Sequence, residues 1–545
     1  MSTALGDSER AAVRATVFGH LAGLVMAPTV SALWERGAIE PLTSRPGSVP
    51  FDEIVDRTHA NRGYLRVALR LLASCGWLTE QVDAHGARTC ALTDKGRVAL
   101  SFAPSLYGRV TSSFLPKALI LDDLLFGPPD NPMIASFGEL VERAREAWRL
   151  EPDPNPVAAK VHGLIRSHLD GMLVGPAMVA LARGGVFARL VDGPLDVRSI
   201  PVNASTVLWL FDLLSATGWA SRSGQTVQLT ERGQYAAQIA GAYGVTVSYL
   251  PTFAVLPTLL FGNPRIPRMD ANGFETLVNR AMNVWGSGGA HGTYFKKLDQ
   301  IIVEIFNRPI AEQPRGICDM GCGDGTLLAH LYTVVREQTA RGSCLATHPL
   351  IIVGADFNKV ARRATKRTLR AADIPTFHVI GGDINRPAQL AADLETLDLE
   401  ARDLLHVRSF LDHNRPYVRL ANYVGGTRRA STTGAFAHQG DEILADELEE
   451  SLVRHLRRWA PYTGPFGLLV LELHTLPPAL TADNLDRTPA VAYDGTHGFS
   501  DQYLVELPIF LNCAREAGLR ADSRHQAMFP PSALATVSLN YFRAG

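Results

Sequence analysis

Apolar and polar positions alternate in a regular way in the C-terminal part of this chain, from about residue 300 onward. Short apolar runs predict strands, and segments with helical periodicity separate them. This alternation favours a doubly wound parallel sheet covered by helices, because the strands of such a sheet are buried on both faces. The runs that predict strands are 316–320, 350–356, 377–382, 404–411 and 466–473, with two more near 519–528 and 536–544.

The N-terminal half contains a pattern that occurs twice. The stretch GHLAGLVMAPTVSALWERGAIEPL from Gly19 matches SHLDGMLVGPAMVALARGGVFARL from Ser167. Further on, 69–78 matches 211–220, and 92–97 matches 229–234. Each copy predicts an amphipathic helix, a second helix ending in Gly-Trp, a hairpin, and another helix. We therefore predict a duplicated, mainly helical domain that resembles a winged helix.

A winged helix raises the alternative of a DNA-binding, ligand-sensing regulator. The two candidate recognition helices, GYLRVALRLLASC and STVLWLFDLLSAT, are mostly apolar, and the second has no basic residue. DNA readers place arginine, lysine, asparagine or glutamine there. Packing against another domain or subunit is therefore the favoured role, and no nucleic-acid partner is expected.

Composition narrows the class of protein further. Of the 545 residues, 46% are hydrophobic and 20% are charged, and the net charge is −1. A nearly neutral chain has no strong overall field for nucleic acid or anionic membrane. The six cysteines form no C-x-x-C pair, and the N-terminus lacks a secretory pattern. We expect a cytoplasmic enzyme that does not bind membranes.

A glycine-rich turn follows the first predicted strand, in the stretch GICDMGCGDGT at 316–326. Bare backbone at Gly321 and Gly323 lets a ligand approach closely, at the edge where ligands bind in such sheets. Asp319, Asp356 and Asp383 come at the ends of the first three strands. Three carboxylates in this order suit a neutral or cationic nucleoside better than a dinucleotide.

The blocks DMGCGDGT, GADFN and GGDIN resemble class I S-adenosylmethionine-dependent methyltransferases over about 290–545. The resemblance implies a seven-stranded Rossmann-like catalytic domain and S-adenosylmethionine as the cofactor. It assigns the methionine part to the glycine turn with Asp319, the ribose to Asp356, and the adenine to Asp383. The other residues that it assigns to the cofactor are Phe357, Ile384 and Ser409.

The domain plan resembles small-molecule O-methyltransferases, which carry an N-terminal winged-helix-like dimerisation domain. Here that unit comes twice, so we predict copy 1 at 1–150, copy 2 at 151–275, and the catalytic domain at 276–545 with a lid at 412–440. The second copy then substitutes for a partner subunit, giving a pseudo-dimeric monomer. A homodimer is the alternative.

Two stretches near the expected methyl acceptor, LDHNRPY at 411–417 and HGFSDQY at 497–503, resemble polyketide-associated C-methyltransferases. A divalent metal chelating a keto acid or malonyl group acidifies its C–H, and histidine and oxygen donors suit Fe, Mn or Zn. The candidate ligands are His413, His497 and Gln502. His413, His497 and Asp412 are the candidate catalytic residues.

We therefore predict C-methylation alpha to a carbonyl of a keto acid or of a malonyl or acyl substrate, free or carrier-bound. The alternative is a small-molecule O-methyltransferase in which His413 is a general base. In those enzymes the histidine is typically followed by Asp-Trp, whereas Asn414 and Arg415 follow it here. Glu472, near the end of the fifth strand, either orients a histidine or is a buried structural acid.

Overall fold

The computed structural model describes residues 5–83, 86–128, 131–147, 154–191, 193–265, 268, 275–420, 423 and 431–544. These residues form two compact units. Unit 1 comprises 1–290, 437–442 and 477–501, and unit 2 comprises 291–436, 443–476 and 502–545. Two short segments of the C-terminal half thus belong to the N-terminal unit.

Unit 1 is mainly helical, with two small antiparallel sheets in the orders β1-β3-β2 and β4-β6-β5. Its strands are β1 (Ser48–Pro50), β2 (Leu78–Val82), β3 (Arg88–Leu92), β4 (Leu195–Asp196), β5 (Ala220–Ser223) and β6 (Thr226–Leu229). Its helices include α1 (Asp7–Glu35), α2 (Glu40–Thr43), α3 (Phe51–Thr58), α4 (Arg62–Ser74), α5 (Asp94–Ser113), α6 (Leu115–Leu119), α7 (Leu121–Phe126), α8 (Pro132–Ala147), α9 (Pro156–Arg183), α10 (Val186–Arg189), α11 (Ala204–Ala216), α12 (Glu231–Gln238), α13 (Gly241–Ser248), α14 (Leu250–Ala254) and α15 (Leu256–Phe261).

The long helices α1 and α9 contact each other through matched positions. A Cβ at Gly23 would overlap the backbone of His168, and a Cβ at Gly171 would overlap the backbone of His20. The two histidines are buried, and each bonds a tyrosine through Nδ1: His20 with Tyr243 at 2.7 Å and His168 with Tyr107 at 2.6 Å. The two segments thus contact each other reciprocally, as the halves of a two-fold dimer do.

The candidate recognition helix α4 has its basic side chains engaged inside unit 1. The guanidinium of Arg70 donates to Asp494 at 2.9 Å, and both side chains are buried. Arg66 forms an ion pair with Glu80. Because these guanidinium groups already have carboxylate partners, they are not presented to a nucleic-acid backbone.

Helix α1 is long and apolar enough, by length and composition, to cross a membrane. However, 89% of its apolar window is buried inside the protein. The core helix of a globular domain has the same composition and the same burial, so α1 on its own is weak evidence for membrane insertion.

Helix α16 (Arg280–Phe306) leads into unit 2, where a seven-stranded sheet has the order β14-β15-β13-β10-β7-β8-β9. The predicted doubly wound sheet is confirmed: five strands are parallel, and β15 pairs antiparallel with β13 and β14. The strands are β7 (Gly316–Met320), β8 (Ile351–Asp356), β9 (Phe377–Gly381), β10 (Leu404–Ser409), β13 (Leu468–Leu473), β14 (Leu519–Phe529) and β15 (Val537–Ala544).

Helices cover this sheet, and β11 (Phe436–His438) and β12 (Asp441–Ile443) form a separate hairpin. The strands in the middle of the sheet are buried from end to end, as the continuous apolar runs predict. The remaining helices of unit 2 are α17 (Thr326–Gln338), α18 (Lys359–Ala371), α19 (Pro387–Glu395), α20 (Ala445–Trp459) and α23 (Leu507–Glu516). Two further helices, α21 (Pro478–Ala482) and α22 (Ala490–Gly498), belong to unit 1.

Candidate active site

The glycine turn joins β7 to α17 at the carboxyl edge of the sheet. Gly321, Gly323 and Gly325 have φ of +80°, +56° and +83°, a conformation that side-chain-bearing residues rarely adopt. A Cβ at Gly321 would contact the side chain of Leu411, whereas a Cβ at Gly323 would meet nothing within 4 Å. The backbone at Gly323 is therefore open to a ligand.

Asp319 lies in β7 just before this turn and is only 2% exposed. Its Oδ1 has no hydrogen-bond partner among the described residues. Burial, reinforced by the negative charge of Asp356, raises the pKa of Asp319 well above its usual range. A cation or a hydrogen-bond donor that reaches this carboxylate would therefore be bound favourably.

Asp356 ends β8 and connects the second strand to the glycine turn. Its Oδ2 accepts from the amide of Gly323 at 3.1 Å, and its Oδ1 accepts from the amide of Asn358 at 2.7 Å. Burial raises the pKa of Asp356, although both amide hydrogen bonds oppose the shift. Arg362 donates to the carbonyl oxygens of Asp356 and Phe357 and so holds the end of this strand in place.

A cavity of about 240 Å³ opens beyond the ends of β8 and β9. Phe357, which is 83% exposed, and Asp383 both line it. Oδ1 of Asp383 accepts from the amide of Asn385 at 2.9 Å. Ile384 is buried, and its carbonyl accepts from the indole of Trp459 at 2.7 Å. A flat ligand in this cavity would contact an aromatic ring and a carboxylate.

His413 lies in a short 3-10 turn, four residues beyond the end of β10 at Ser409, and contacts Glu472 near the end of β13. Nδ1 of His413 forms a hydrogen bond with Oε1 of Glu472, and the backbone amide of His413 donates to Oε2 at 3.2 Å. The carbonyl of His413 accepts from the amide of Tyr503 at 2.8 Å. The ring and its turn are thus held from three directions.

Asp412 points into a second buried cluster. Its Oδ1 accepts from Nε2 of His455 at 2.9 Å and lies 3.2 Å from Nη1 of Arg408. Burial alone would raise the pKa of Asp412, but the positive charge of Arg408 and the hydrogen bond from His455 outweigh it and hold the pKa below its usual value. The carboxylate of Asp412 therefore connects the turn to α20.

The three predicted metal ligands come from segments of both compact units. His413 and Gln502 belong to unit 2, whereas His497 lies in α22 of unit 1. Nδ1 of His497 contacts the carbonyl of Tyr493 at 2.8 Å. Among the described residues, no group of three or more His, Cys, Asp or Glu side chains is arranged to hold a metal ion.

The predicted lid at 412–440 is only partly described, because 421, 422 and 424–430 lie outside the described residues. Two glutamates hold the segment that follows. Glu449 accepts from the amides of Ser431 and Thr432 at 2.7 and 2.8 Å. Glu506 accepts from the hydroxyl of Thr432 at 2.7 Å, so the C-terminal end of the predicted lid is anchored to α20 and to the residue before α23.

Sequence reasoning alone missed two sets of functional contacts in this region. The contacts of Arg362 could have been found from sequence, because this residue lies only six positions after Asp356, whose carbonyl it contacts. The bond between Asp412 and His455 spans 43 positions and has no local signal. The pairing of His413 with Glu472 spans 59 positions and was predicted in part, since orienting a histidine was one of the two roles weighed for Glu472.

Comparison with known protein families gives three matches to this chain. The model of the AprA MT2-like domain matches 275–540, the AprA N-terminal domain matches 13–80, and the AprA winged helix domain matches 170–263. A 2-ketoarginine methyltransferase of Streptomyces arginensis is 27% identical over 210 residues, which are 38% of this chain and 58% of that protein. The match therefore spans less than two thirds of the relative.

Among solved structures, the mitomycin 7-O-methyltransferase MmcR has a TM-score of 0.40 at 14% identity, covering 71% of this chain and 98% of that one. Human N-acetylserotonin methyltransferase in complex with S-adenosylmethionine has a TM-score of 0.39 at 14% identity, with coverages of 73% and 100%. The methyltransferase domain of the citrinin polyketide synthase has a TM-score of 0.36 at 13% identity, with coverages of 79% and 99%.

Proposed function

Because the AprA MT2-like, AprA N-terminal and AprA winged helix models match this chain and a 2-ketoarginine methyltransferase is similar to it, we propose that it is an S-adenosylmethionine-dependent methyltransferase that methylates the carbon next to the carbonyl of a 2-oxo acid. The domain matches and the methyltransferase relative support the class of enzyme and its cofactor. What we propose is the identity of the methyl acceptor and the role of each residue in the reaction.

The observation that carries the proposal is the pairing of His413 with Glu472 at the carboxyl edge of the sheet. His413 is 6% exposed and Glu472 only 1%. A buried carboxylate that accepts the Nδ1 proton fixes the tautomer, so that Nε2 carries the basic lone pair. This is the arrangement of a histidine general base with an orienting acid.

The described residues fit the predicted cofactor. The unpartnered Oδ1 of Asp319 and the open backbone at Gly323 suit the cationic methionine end. Asp356 suits the ribose hydroxyls, and the cavity with Phe357 and Asp383 suits the adenine. Ile384 and Ser409 complete the proposed cofactor set. When bound, S-adenosylmethionine would supply an electrophilic methyl group to a deprotonated carbon, and S-adenosylhomocysteine would be the leaving group.

In the proposed mechanism, Nε2 of His413 removes a proton from the carbon beside the ketone, and the resulting enolate carbon is the nucleophile. Glu472 stabilises the imidazolium that forms. Asp412 positions the turn through His455 and Arg408. The name of the relative, a 2-ketoarginine methyltransferase, favours a 2-oxo acid as the acceptor.

The second candidate function is O-methylation of a small molecule, with the same histidine taking a hydroxyl proton. The pairing of His413 with Glu472 supports it equally, because a general base of this kind acts on O–H as well as on C–H. A regulator that binds DNA is disfavoured by the paired state of Arg66 and Arg70 in α4.

Hydrogen exchange at the acceptor carbon distinguishes these functions. The purified protein is saturated with S-adenosylhomocysteine and incubated with 2-ketoarginine in D₂O, and loss of the C3 proton signal is followed by NMR. Enzyme-catalysed exchange that disappears in His413→Ala but not in the exposed control His348→Ala supports the C-methyltransferase. With S-adenosylmethionine, a new C–CH₃ signal is expected, whereas a methyl ether or ester without exchange favours O-methylation.

Metal assistance by Fe, Mn or Zn at His413, His497 and Gln502 remains a prediction, and no step above depends on it. Elemental analysis of the purified protein, with turnover measured before and after chelation, tests it. Stoichiometric metal and loss of turnover in His497→Ala would add a metal to the mechanism. Turnover indifferent to the chelator would leave His413 as the base alone.

We further propose that the reciprocal packing of α1 and α9 replaces the contact between two subunits, so that the protein is a pseudo-dimeric monomer. This proposal keeps the predicted division into 1–150, 151–275 and 276–545. Light scattering at several protein concentrations is expected to give the mass of one chain, and the mass of two chains would favour the homodimer. The cytoplasmic location stays a prediction.

A further inference from the structure

A second cavity in unit 2, of about 540 Å³, is lined by basic side chains. It lies between the segment after His413 and the C-terminal half of α20. Its volume is within the range of small-molecule sites in proteins, about 300–1,000 Å³. The residues that line it are Asn385, Arg415, Pro416, Val418, Arg419, Leu420, Ser451, Arg454, His455, Arg457 and Arg458.

Two deeply buried side chains of this cavity have nitrogen atoms without a partner. Arg415 is 3% exposed and His455 is 1% exposed. Nη1 of Arg415 donates to the carbonyl of Asp412 at 2.9 Å, but its Nη2 has no hydrogen-bond partner in the described part of the chain. Nδ1 of His455 also has none there, but it is a hydrogen-bond acceptor, because Nε2 of the same ring donates to Asp412. A buried guanidinium with an unused donor is costly unless a ligand accepts from it.

The rim of the cavity adds positive charge that is not neutralised locally. Arg419, Arg457 and Arg458 are exposed, and no carboxylate is among the described residues that line the cavity. A fourth arginine that lines the cavity, Arg454, does have an acidic partner, because its Nε donates to Glu450 at 2.7 Å. The excess of guanidinium groups favours a ligand with more than one negative charge.

A purely structural explanation accounts for part of this pattern. Basic residues in the last turn of a helix are stabilised by the helix dipole, and Arg457 and Arg458 lie in the last turn of α20. The dipole does not account for Arg415 and Arg419, which come from the loop after β10. It also does not account for the cavity, nor for the buried Nη2.

The acids closest to Arg415 are already engaged elsewhere. Asp412 binds His455 and lies against Arg408, and Glu472 binds His413. Oδ1 of Asn385, an acceptor among the residues that line the cavity, is also without a partner in the described chain. An acceptor beside several donors suits an oxyanion that also carries a hydroxyl or a protonated oxygen.

We propose that this cavity is a binding site for a small polyanion that carries phosphate groups, separate from the cofactor site. Forked contacts from Arg415 and from the rim arginines would bind the phosphate oxygens, and Asn385 would accept from a hydroxyl. The proposal does not depend on the methyl acceptor, so it can fail or succeed independently of the proposed reaction.

The test is calorimetric titration of the full-length protein, saturated with S-adenosylhomocysteine, at physiological salt. The probes are inorganic pyrophosphate, fructose 1,6-bisphosphate and citrate. We expect saturable binding of a phosphate probe, weakened at least about tenfold in Arg457→Gln/Arg458→Gln. The matched control Arg367→Gln/Arg370→Gln changes the same charge at exposed positions of α18 and should bind as the wild type does.

Arg415→Gln provides a second variant, since it removes the buried donor, and it should weaken binding at least as much. Tighter binding of pyrophosphate would indicate an inorganic ligand, and tighter binding of the bisphosphate an organic one; both support the site. Equal loss in the control double variant, tighter binding of citrate than of either phosphate, or no binding at millimolar concentration would overturn the proposal. Binding seen only without S-adenosylhomocysteine would place the anion in the cofactor site and would also overturn it.

Discussion

Replacement of Glu472 by glutamine tests the proposed base directly. Oε1 of Glu472 accepts from Nδ1 of His413 and from the amide of Leu473, and Oε2 accepts from the amide of His413. Glutamine has the same shape but replaces one oxygen by an NH₂ group. If that group faces Nδ1, the ring must accept there, and its proton moves to Nε2. The nitrogen that should take the substrate proton is then already protonated.

The expected loss is large because the variant removes the base without removing the ring. A positioned general base contributes about 10²–10⁴-fold in rate, which corresponds to about 3–5 kcal/mol of transition-state stabilisation. We expect kcat to fall by this factor while the KM for 2-ketoarginine changes little. The affinity for S-adenosylhomocysteine should not change, since Asp319, Asp356 and Asp383 are untouched.

The assay is the initial rate of S-adenosylhomocysteine release, with binding of S-adenosylhomocysteine measured by calorimetry on the same preparations. The exposed Glu395→Gln, at the end of α19, is the matched control and should keep wild-type rates. Activity within about threefold of wild type in Glu472→Gln would refute the role of the pair. Equal losses of activity and of S-adenosylhomocysteine affinity would show instead that Glu472 supports the fold of the site.

Three further predictions concern the cofactor site and the core of unit 1. Asp356→Asn should weaken S-adenosylhomocysteine binding by about 10–100-fold in calorimetry, because the variant removes a charged acceptor at the glycine turn. An unchanged affinity would contradict the assignment of Asp356 to the ribose. Gly171→Ala should destabilise the protein by at least about 1–3 kcal/mol in thermal unfolding, because its Cβ would overlap the His20 backbone; the control Gly163→Ala, on the same helix with open space around it, should be neutral or stabilising. Burial lowers the pKa of His168 to about 3, and the nearby His20 adds to the shift. As the pH falls below about 6.5, this histidine takes up a proton in the unfolded chain but stays neutral in the folded chain. The folded state therefore loses stability as the pH falls from about 6.5 toward 3. His168→Gln should therefore reduce the change in the unfolding free energy between pH of about 7 and 5 by about 2 kcal/mol, or about 1 kcal/mol per pH unit, in urea titrations, and an unchanged pH dependence would contradict the burial argument.

The sheet was predictable from sequence because its signal is local. Each strand of the catalytic unit is a short apolar run, and the strands found differ from the predicted ones by only a few residues at their ends, as at β10, predicted to 411 and found to end at Ser409. Asp319, Asp356 and Asp383 are predictable for the same reason, since each lies at or just beyond the end of a strand. The positive φ angles of the glycine turn were also predictable, because glycine adopts them without strain and three glycines occur there.

The acceptor side was less predictable because its residues come from distant parts of the chain. His413 and His497 are 84 positions apart, and the compact units divide the chain between them. The stretch HGFSDQY is a single motif in sequence, yet its His497 belongs to unit 1 and its Gln502 to unit 2. The sequence motif therefore did not reveal to which compact unit each of its residues belongs.

Sheet order explains why the base and its acid meet. In the observed order β10 neighbours β13, and Ser409 pairs with Leu471 near their carboxyl ends. Glu472 comes one residue beyond that pair, and His413 lies in the turn just beyond β10. A histidine after the fourth strand and an acid near the end of the fifth are thus brought to the same edge by the register alone. Any polar pair at these two positions would be neighbours, so the chemistry here depends on which side chains occupy them, and in this chain they are a histidine and a glutamate.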